Sequence, residues 1–305
     1  DQIIGGNAIT AFYNLNLEGS GVKRQEIDAE VSGTLNLNDL ELATDSFEMS
    51  ITNADTSAIQ RTSGFVSSLG EGRLTRAMNQ DVPYLFPVGS RVGVFRYRPV
   101  NIQPNTSTLE SFGVRLANVN AGQEGFDLNI KNELICEINP NFFHRIYRNT
   151  SANPSITFFY DPIADGEWSE VSLLQGIPQW EPVNSLSGFS NLDFVQTSPW
   201  DDFSSPAFAL SNPAPDFELM ADTVINLEES VLIEGEFNSN VSSYEWEPTD
   251  FLSCIDCASP ISEQPERDIT YVLRANPGSV CEALDTVQIF VREEDGLYLP
   301  SAFSP

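Results

Sequence analysis

The chain has 305 residues, 41% of them hydrophobic, which is enough to build packed cores and excludes a wholly disordered chain. It carries 44 Asp and Glu against 15 Lys and Arg, a formal charge of −29; this disfavours nucleic acid and anionic membranes as partners, because phosphate recognition needs a basic surface. No apolar run reaches the ~18–20 residues of a membrane-spanning helix, and one histidine, His144, with no Gly-x-Ser-x-Gly elbow in the chain, argues against imidazole-based catalysis.

Residues 1–90 alternate apolar and polar positions in short bursts: Leu35 and Leu37, Leu40 and Leu42, then Phe47, Met49 and Ile51. A period of two marks half-buried strands. Breaks such as Asn38-Asp39 and Asn53-Ala54-Asp55 separate them closely, which fits stacked coils of a β-solenoid, with a hairpin-rich region as the alternative. Residues 91–215 hold longer alternations: Phe95/Tyr97, Val100/Ile102, Phe112/Val114/Leu116, Phe126/Leu128/Ile130, Ile156/Phe158/Tyr160 and Val171/Leu173. With turn signals between them they predict a β-sandwich. The best helical candidate, Asn141–Arg148, is short. Asn212-Pro213-Ala214-Pro215 reads as a stiff linker.

Residues 216–294 predict an immunoglobulin-like sandwich, with strands at Val224–Leu227, Val231–Ile233, Tyr244/Trp246, Tyr271–Leu273 and Val287/Ile289/Val291. Tyr244 and Trp246 are two apart and share a strand face, where such a sandwich carries its central aromatic. Residues 295–305 are a linker and the start of a further segment. The expected fold class is therefore all-β: a short solenoid-like or hairpin-rich N-terminal region, a β-sandwich, then an immunoglobulin-like sandwich. The acid is denser towards the C-terminus, with a net −16 over residues 216–305 against −13 over residues 1–215.

Four cysteines are present. Cys254 and Cys257 form one CxxC pair without the second pair or the histidines of a zinc site, and without the βαβ context of a redox site. A local disulfide is the expected state, implying an oxidising compartment. For Cys136 and Cys281, mutual pairing and separate burial both remain open.

The closing Leu297-Tyr298-Leu299-Pro300-Ser301-Ala302-Phe303-Ser304-Pro305 resembles the opening of the type B (gliding-motility-associated) C-terminal sorting domain of Bacteroidota, with Ser301 in place of the usual Asn. Tyr244-Glu245-Trp246-Glu247-Pro248, the stretch from Leu252 to Pro260, and Thr270-Tyr271-Val272-Leu273 resemble the immunoglobulin/PKD-like module that often precedes that domain. The resemblance implies cargo of the type IX secretion machinery, placed outside the cell or on its surface. Asp1 is then expected near the mature N-terminus and Pro305 near a processed end. It also implies O-glycosylation of Asp-Ser/Thr-aliphatic motifs, which Thr223 and Thr286 fit.

The candidate sites follow from these readings. Asp161, Asp165 and Glu167, with Gly166 among them, offer hard oxygen ligands for Ca²⁺; no other cofactor is expected. Trp168 and Trp180 offer rings for stacking on a polysaccharide. Asp1, Gln2, Ile3 and Ile4 at one end, and Leu297, Tyr298 and Leu299 at the other, are candidates for strand addition between subunits. The expected function is a non-enzymatic structural or adhesive surface protein that associates with itself, as the protomer of a filament, or with other surface proteins. A carbohydrate-binding module and a glycoside hydrolase using paired carboxylates are the alternatives.

Overall fold

Short period-two bursts separated by tight turns cannot form long hairpins, and in the computed structural model they stack instead as coils. The structure describes residues 2–174, 179–189 and 193–293. The first coil holds β1 (Gln2–Ile4), β2 (Thr10–Phe12) and β3 (Leu15–Asn16). The second holds β4 (Lys23–Gln25), β5 (Ala29–Val31) and β6 (Leu35–Asn36), and the third β7 (Glu41–Asp45), β8 (Glu48–Ile51) and β9 (Ile59–Gln60). β10 (Phe65–Ser68) and β11 (Arg73–Met78) begin the fourth. Equivalent strands pair in parallel, giving three sheet faces: β1-β4-β7-β10, β2-β5-β8-β11 and β3-β6-β9. Register places Thr10, Ala29, Met49 and Leu74 in one row, roughly 20 residues per coil.

Stacked coils approach closely at their corners. A Cβ on Gly33 would lie 2.5 Å from the Tyr13 carbonyl oxygen, so only glycine fits there. Asparagines hold other corners together: Asn38 Nδ2 donates to Asn16 Oδ1 (3.2 Å) and to the Leu17 carbonyl (2.6 Å), and Asn53 Nδ2 donates to the Gly33 carbonyl (3.0 Å). Val31, Leu35, Leu42, Met49, Val66 and Leu74 fill the interior.

The solenoid does not stop; it changes into the sandwich. β11 pairs in parallel with β8 along one edge and antiparallel with β16 (Glu110–Ala117) along the other, Leu74 facing Met49 and Val114. The intervening strands are β12 (Tyr84–Phe86), the small β13 (Gly89–Ser90) and β14 (Arg96–Tyr97) hairpin, and β15 (Val100–Gln103). β17 (Ile135–Ile138), β18 (Phe143–Arg148), β19 (Ser155–Tyr160), β20 (Glu170–Leu174), β21 (Trp180–Val183), β22 (Ser185–Phe189), β23 (Asp193–Thr197) and β24 (Ala207–Pro213) follow. The second solenoid sheet thereby extends as β11-β16-β18-β24-β20-β21, with β17 also on β24, and a sheet β12-β15-β19-β23-β22 shares its core.

One hydrophobic cluster runs from Leu17 to Leu210, and residues 1–213 form one compact unit. The boundary expected at residue 90 marks a change of strand geometry within that unit. Two local expectations are corrected. Asn141–Arg148 is not helical: Phe143–Arg148 is a central strand, because its residues are buried on both faces of the sheet. Phe126, Leu128 and Ile130 form no strand; they lie in a turn segment whose Phe126 and Leu128 cover Phe143 and Trp180 on the sheet's second face.

Residues 214–305 are the second unit. Its strands are β25 (Phe217–Leu219), β26 (Thr223–Asn226), β27 (Val231–Leu232), β28 (Gly235–Phe237), β29 (Tyr244–Glu247), β30 (Ile261–Ser262), β31 (Ile269–Ala275) and β32 (Ala283–Arg292). The main sheet runs β26-β32-β31-β29, with β26 parallel to β32, and two further pairs, β25-β28 and β27-β30, complete an immunoglobulin-like arrangement. Trp246 is fully buried at its centre among Ile233, Tyr271, Leu273 and Val287.

Arg76 closes the solenoid where the strand pattern changes. It is fully buried, and among the described residues its hydrogen bonds go to backbone carbonyls rather than to a carboxylate. Its guanidinium donates to the carbonyls of Leu85 (2.6 Å), Asp55 (3.2 Å) and Thr56 (3.2 Å), and it lies over the Tyr84 ring. Burial pushes its pKa down to about 10, so the side chain remains charged at neutral pH. An Arg76→Met substitution leaves these carbonyls without their donor and should cost about 3 kcal/mol or more of stability, read as a lower urea midpoint. Gly33→Ala should also lower the midpoint, through its clash with the Tyr13 carbonyl; an unchanged value for either variant would contradict the corner geometry.

Candidate interaction surface

Of the ionisable residues singled out by the sequence, His144 and Asp165 are buried, Asp161 is half-buried and Glu167 is exposed. Asp161 caps the short helix α1 (Pro162–Asp165), its carboxylate accepting the Ile163 N–H at 3.1 Å. The Asp165 carboxylate turns inward, taking Arg96 Nε at 3.1 Å, Arg98 Nε, and the Asp161 N–H at 3.0 Å. The expected calcium ligands Asp161, Asp165 and Glu167 are therefore not a set: two guanidiniums occupy the position a cation would take. Among the described residues no cluster of three His, Cys, Asp or Glu is arranged to hold a metal.

His144 packs in the layer beside this cluster. Its Nε2 lies 2.9 Å from the Arg98 carbonyl, and the Phe142 and Phe158 rings flank it. Burial, aided by the Arg98 charge, lowers its pKa to about 4, so it is neutral at pH 7. This histidine contributes packing and one hydrogen bond.

Trp168 and Trp180 are corrected too. Trp168 lies in the sandwich core, its indole donating to the Asp165 carbonyl (2.9 Å), and Trp180 is fully buried, donating to the Asp127 carbonyl (3.1 Å). Neither ring is presented for sugar stacking. In the second unit Cys254 and Cys257 are joined, with Cα atoms 6.0 Å apart. The loop they close docks on β29, where Trp246 N–H donates to the Ile255 carbonyl and its indole to the Cys257 carbonyl, both at 2.9 Å. The acids of both Asp-Thr-Val motifs bridge backbone: Asp222 accepts the Gln288 N–H (2.8 Å) and Asp285 the Leu219 N–H (3.0 Å). Thr286 is exposed on β32 and Thr223 half-buried on β26.

What remains unpartnered is surface. Among the described residues β1, β2 and β3 each end their sheet, paired with β4, β5 and β6. One end of the solenoid thus presents three strand edges around a concave opening lined by Ile4, Phe12, Leu15, Leu17 and Lys23. Ile3, Ile9 and Tyr13 on the same coil are 58%, 65% and 76% exposed. Gln2, Ile3 and Ile4, expected as assembly residues, lie on this edge; Asp1, Leu297, Tyr298 and Leu299 lie outside the described residues. A second apolar projection, unremarked in the sequence, is the β13–β14 hairpin tip with Val92, Val94 and Phe95 exposed. Asn118 Nδ2 holds it through the Val92 and Val94 carbonyls, both at 2.7 Å. Its sequence signal is Arg91-Val92-Gly93-Val94-Phe95, apolar residues flanking a glycine at φ 70°.

No protein-family model matches the chain, and no curated protein matches it. Two solved structures are similar over part of its length. One is a crystal structure of Dpr11 IG1 bound to DIP-gamma IG+IG2, at 12% identity and a TM-score of 0.23, covering 45% of this chain and 89% of that one. The other is the tandem Ig repeats of Dlar, at 15% identity and a TM-score of 0.22, covering 46% and 89%. No helix among the described residues is long and apolar enough to cross a membrane.

Two outcomes test the buried cluster. The folded pKa of His144 lies below its unfolded value of about 6.5, so its contribution is complete above pH 6.5 and is lost as pH falls towards 4. The loss approaches about 3 kcal/mol. The difference in urea stability between pH 7 and pH 4.5 should therefore be smaller in His144→Phe than in the parent chain. Asp165→Asn strands the buried Arg98 charge and the half-buried Arg96 charge and should cost about 3–5 kcal/mol at pH 7; a loss below 1 kcal/mol would show that the carboxylate does not anchor them.

Proposed function

We propose that this protein is a non-enzymatic structural or adhesive component of the cell exterior, exported by the type IX secretion machinery. The observation that carries the reading is the internal use of its chemistry. The sole histidine, the Asp165 carboxylate and both candidate tryptophans are engaged in packing and hydrogen bonds, while apolar groups are left at the solenoid end and the hairpin tip. A serial arrangement of β modules with unpartnered strand edges suits assembly or adhesion more than turnover of a small substrate. The joined Cys254 and Cys257 support an oxidising compartment. The likeness of residues 297–305 to a sorting-domain opening supports the export route.

Fractionation of producing cells, combined with thiol trapping, tests this reading. The protein should be accessible to protease on intact cells, and Cys254 and Cys257 should resist alkylation until reduced. A cytoplasmic protein whose two thiols alkylate without reduction would overturn it.

A further inference from the structure

Two cysteines three positions apart close a very small ring when they are joined. In the second unit that ring is laid against one edge of β29. Among the described residues β29 ends the main sheet, with β31 as its strand neighbour. On the other side the Trp246 backbone N–H donates to the Ile255 carbonyl and its indole N–H to the Cys257 carbonyl, both at 2.9 Å. The ring thus aims two carbonyls, two residues apart, at one fully buried tryptophan. An open strand edge invites pairing with another chain, and here a loop covers it.

The covering segment is anchored at both of its ends. Before the ring, the Tyr271 hydroxyl donates to the Asp250 carbonyl (2.9 Å), and the Ser253 N–H donates to the Ile261 carbonyl (3.0 Å). After it, the Ile261 N–H donates to Ser253 Oγ and the Ile233 N–H to the Pro260 carbonyl, both at 2.8 Å. Between these anchors Ile255, Asp256 and Ser259 are exposed, and Cys254, Cys257 and Ala258 are half-buried. So little apolar burial holds residues 254–259 down weakly, and their docking leans on the ring. The anchors let them lift while the strands on either side stay paired. The half-buried sulfurs are within reach of a small thiol.

We propose that Cys254–Cys257 is a redox latch on the second unit: while the bond is intact, residues 254–259 cover the edge of β29, and reduction by a dithiol lets them lift and uncovers Trp246. The chemistry is thiol–disulfide exchange. A thiolate of the dithiol attacks one sulfur, and the S–S bond breaks with its electron pair leaving on the other cysteine. The second thiolate of the dithiol then closes a ring onto the first and expels the remaining cysteine. Two electrons and two protons pass to the protein, and the dithiol becomes a cyclic disulfide. Under oxidising conditions the edge stays covered; under reducing conditions it is open to strand pairing. This goes beyond the reading of the chain as a surface protein and holds wherever the chain resides.

Hydrogen exchange of the intact chain, followed by NMR, reads the latch at the Trp246 backbone and indole N–H groups. Closing so short a ring shifts the opening equilibrium by about twentyfold. Treatment with dithiothreitol should therefore speed exchange at both Trp246 groups by about twentyfold. A double variant, Cys254→Ser with Cys257→Ser, kept under oxidising conditions, should show the same acceleration and separates this bond from Cys136 and Cys281. The amides that join β31 to β32, and the buried indoles of Trp168 and Trp180, should keep their parent rates in the variant. Removing the dithiol and reoxidising should restore slow exchange at Trp246 in the parent chain and leave it fast in the variant.

Either of two results would overturn the proposal. Unchanged Trp246 exchange in the double variant would mean that the loop stays docked without its ring. Loss of protection throughout the second unit, β31 and β32 included, would mean that the bond supports the whole fold and that no local latch exists. Both measurements are made on the purified chain, so neither result bears on where the protein is found, and the functional reading is tested separately.

Discussion

The two-sided pairing of Arg73–Met78 is the interaction on which the rest of the first unit depends. One edge completes a parallel sheet with Glu48–Ile51, and the other begins an antiparallel sheet with Glu110–Ala117. Parallel pairing needs a crossover between strands, which the solenoid supplies by coiling, whereas antiparallel pairing accepts a simple return. Once this strand has a neighbour of each kind, the coil cannot repeat beyond it, and the core passes without interruption from solenoid to sandwich.

The charge of the chain acts through where its cations are placed. Among the described residues of the first unit five basic residues are buried, Lys23, Arg76, Arg98, Arg115 and Arg145, against two acids, Glu110 and Asp165. Arg115 and Arg145 share Glu124, at 2.6 and 3.0 Å, and Arg145 also reaches Glu71. Arg96 and Arg98 share Asp165. With the cations drawn inward, the surface of this unit is more acidic than its composition implies. Such a surface repels polyanions. The buried ion pairs fix loops onto sheets more than they add net stability, because removing each charge from water is costly.

Much of the architecture was legible in the sequence because burial writes itself as period-two alternation. Leu35, Leu42, Met49 and Ile51 point into the solenoid as their spacing requires, and Trp246 with Tyr244 faces the core of the second unit. The same signal misled at Phe126, Leu128 and Ile130, because a turn that covers a sheet also alternates apolar and polar residues. At Phe143–Arg148, burial on both faces erased the alternation, and the segment resembled a short helix. Asp161, Asp165 and Glu167 resembled a cation loop because sequence shows ligand types and not the arginines that reach them from residues 96 and 98.

By itself, the sequence determined an all-β chain with acid in excess, short turns that force coiling, and a local Cys254–Cys257 pairing. These are properties of neighbours along the chain, set by side-chain alternation, ring closure over three residues, and composition. Only the tertiary structure decided that residues 1–213 share one core, that Trp168 and Trp180 are inside, and that Asp165 answers two arginines. Each of these depends on contacts between residues far apart in sequence, whose pairing is chosen by the summed burial and hydrogen bonding of the whole unit and leaves no periodic mark in any one segment.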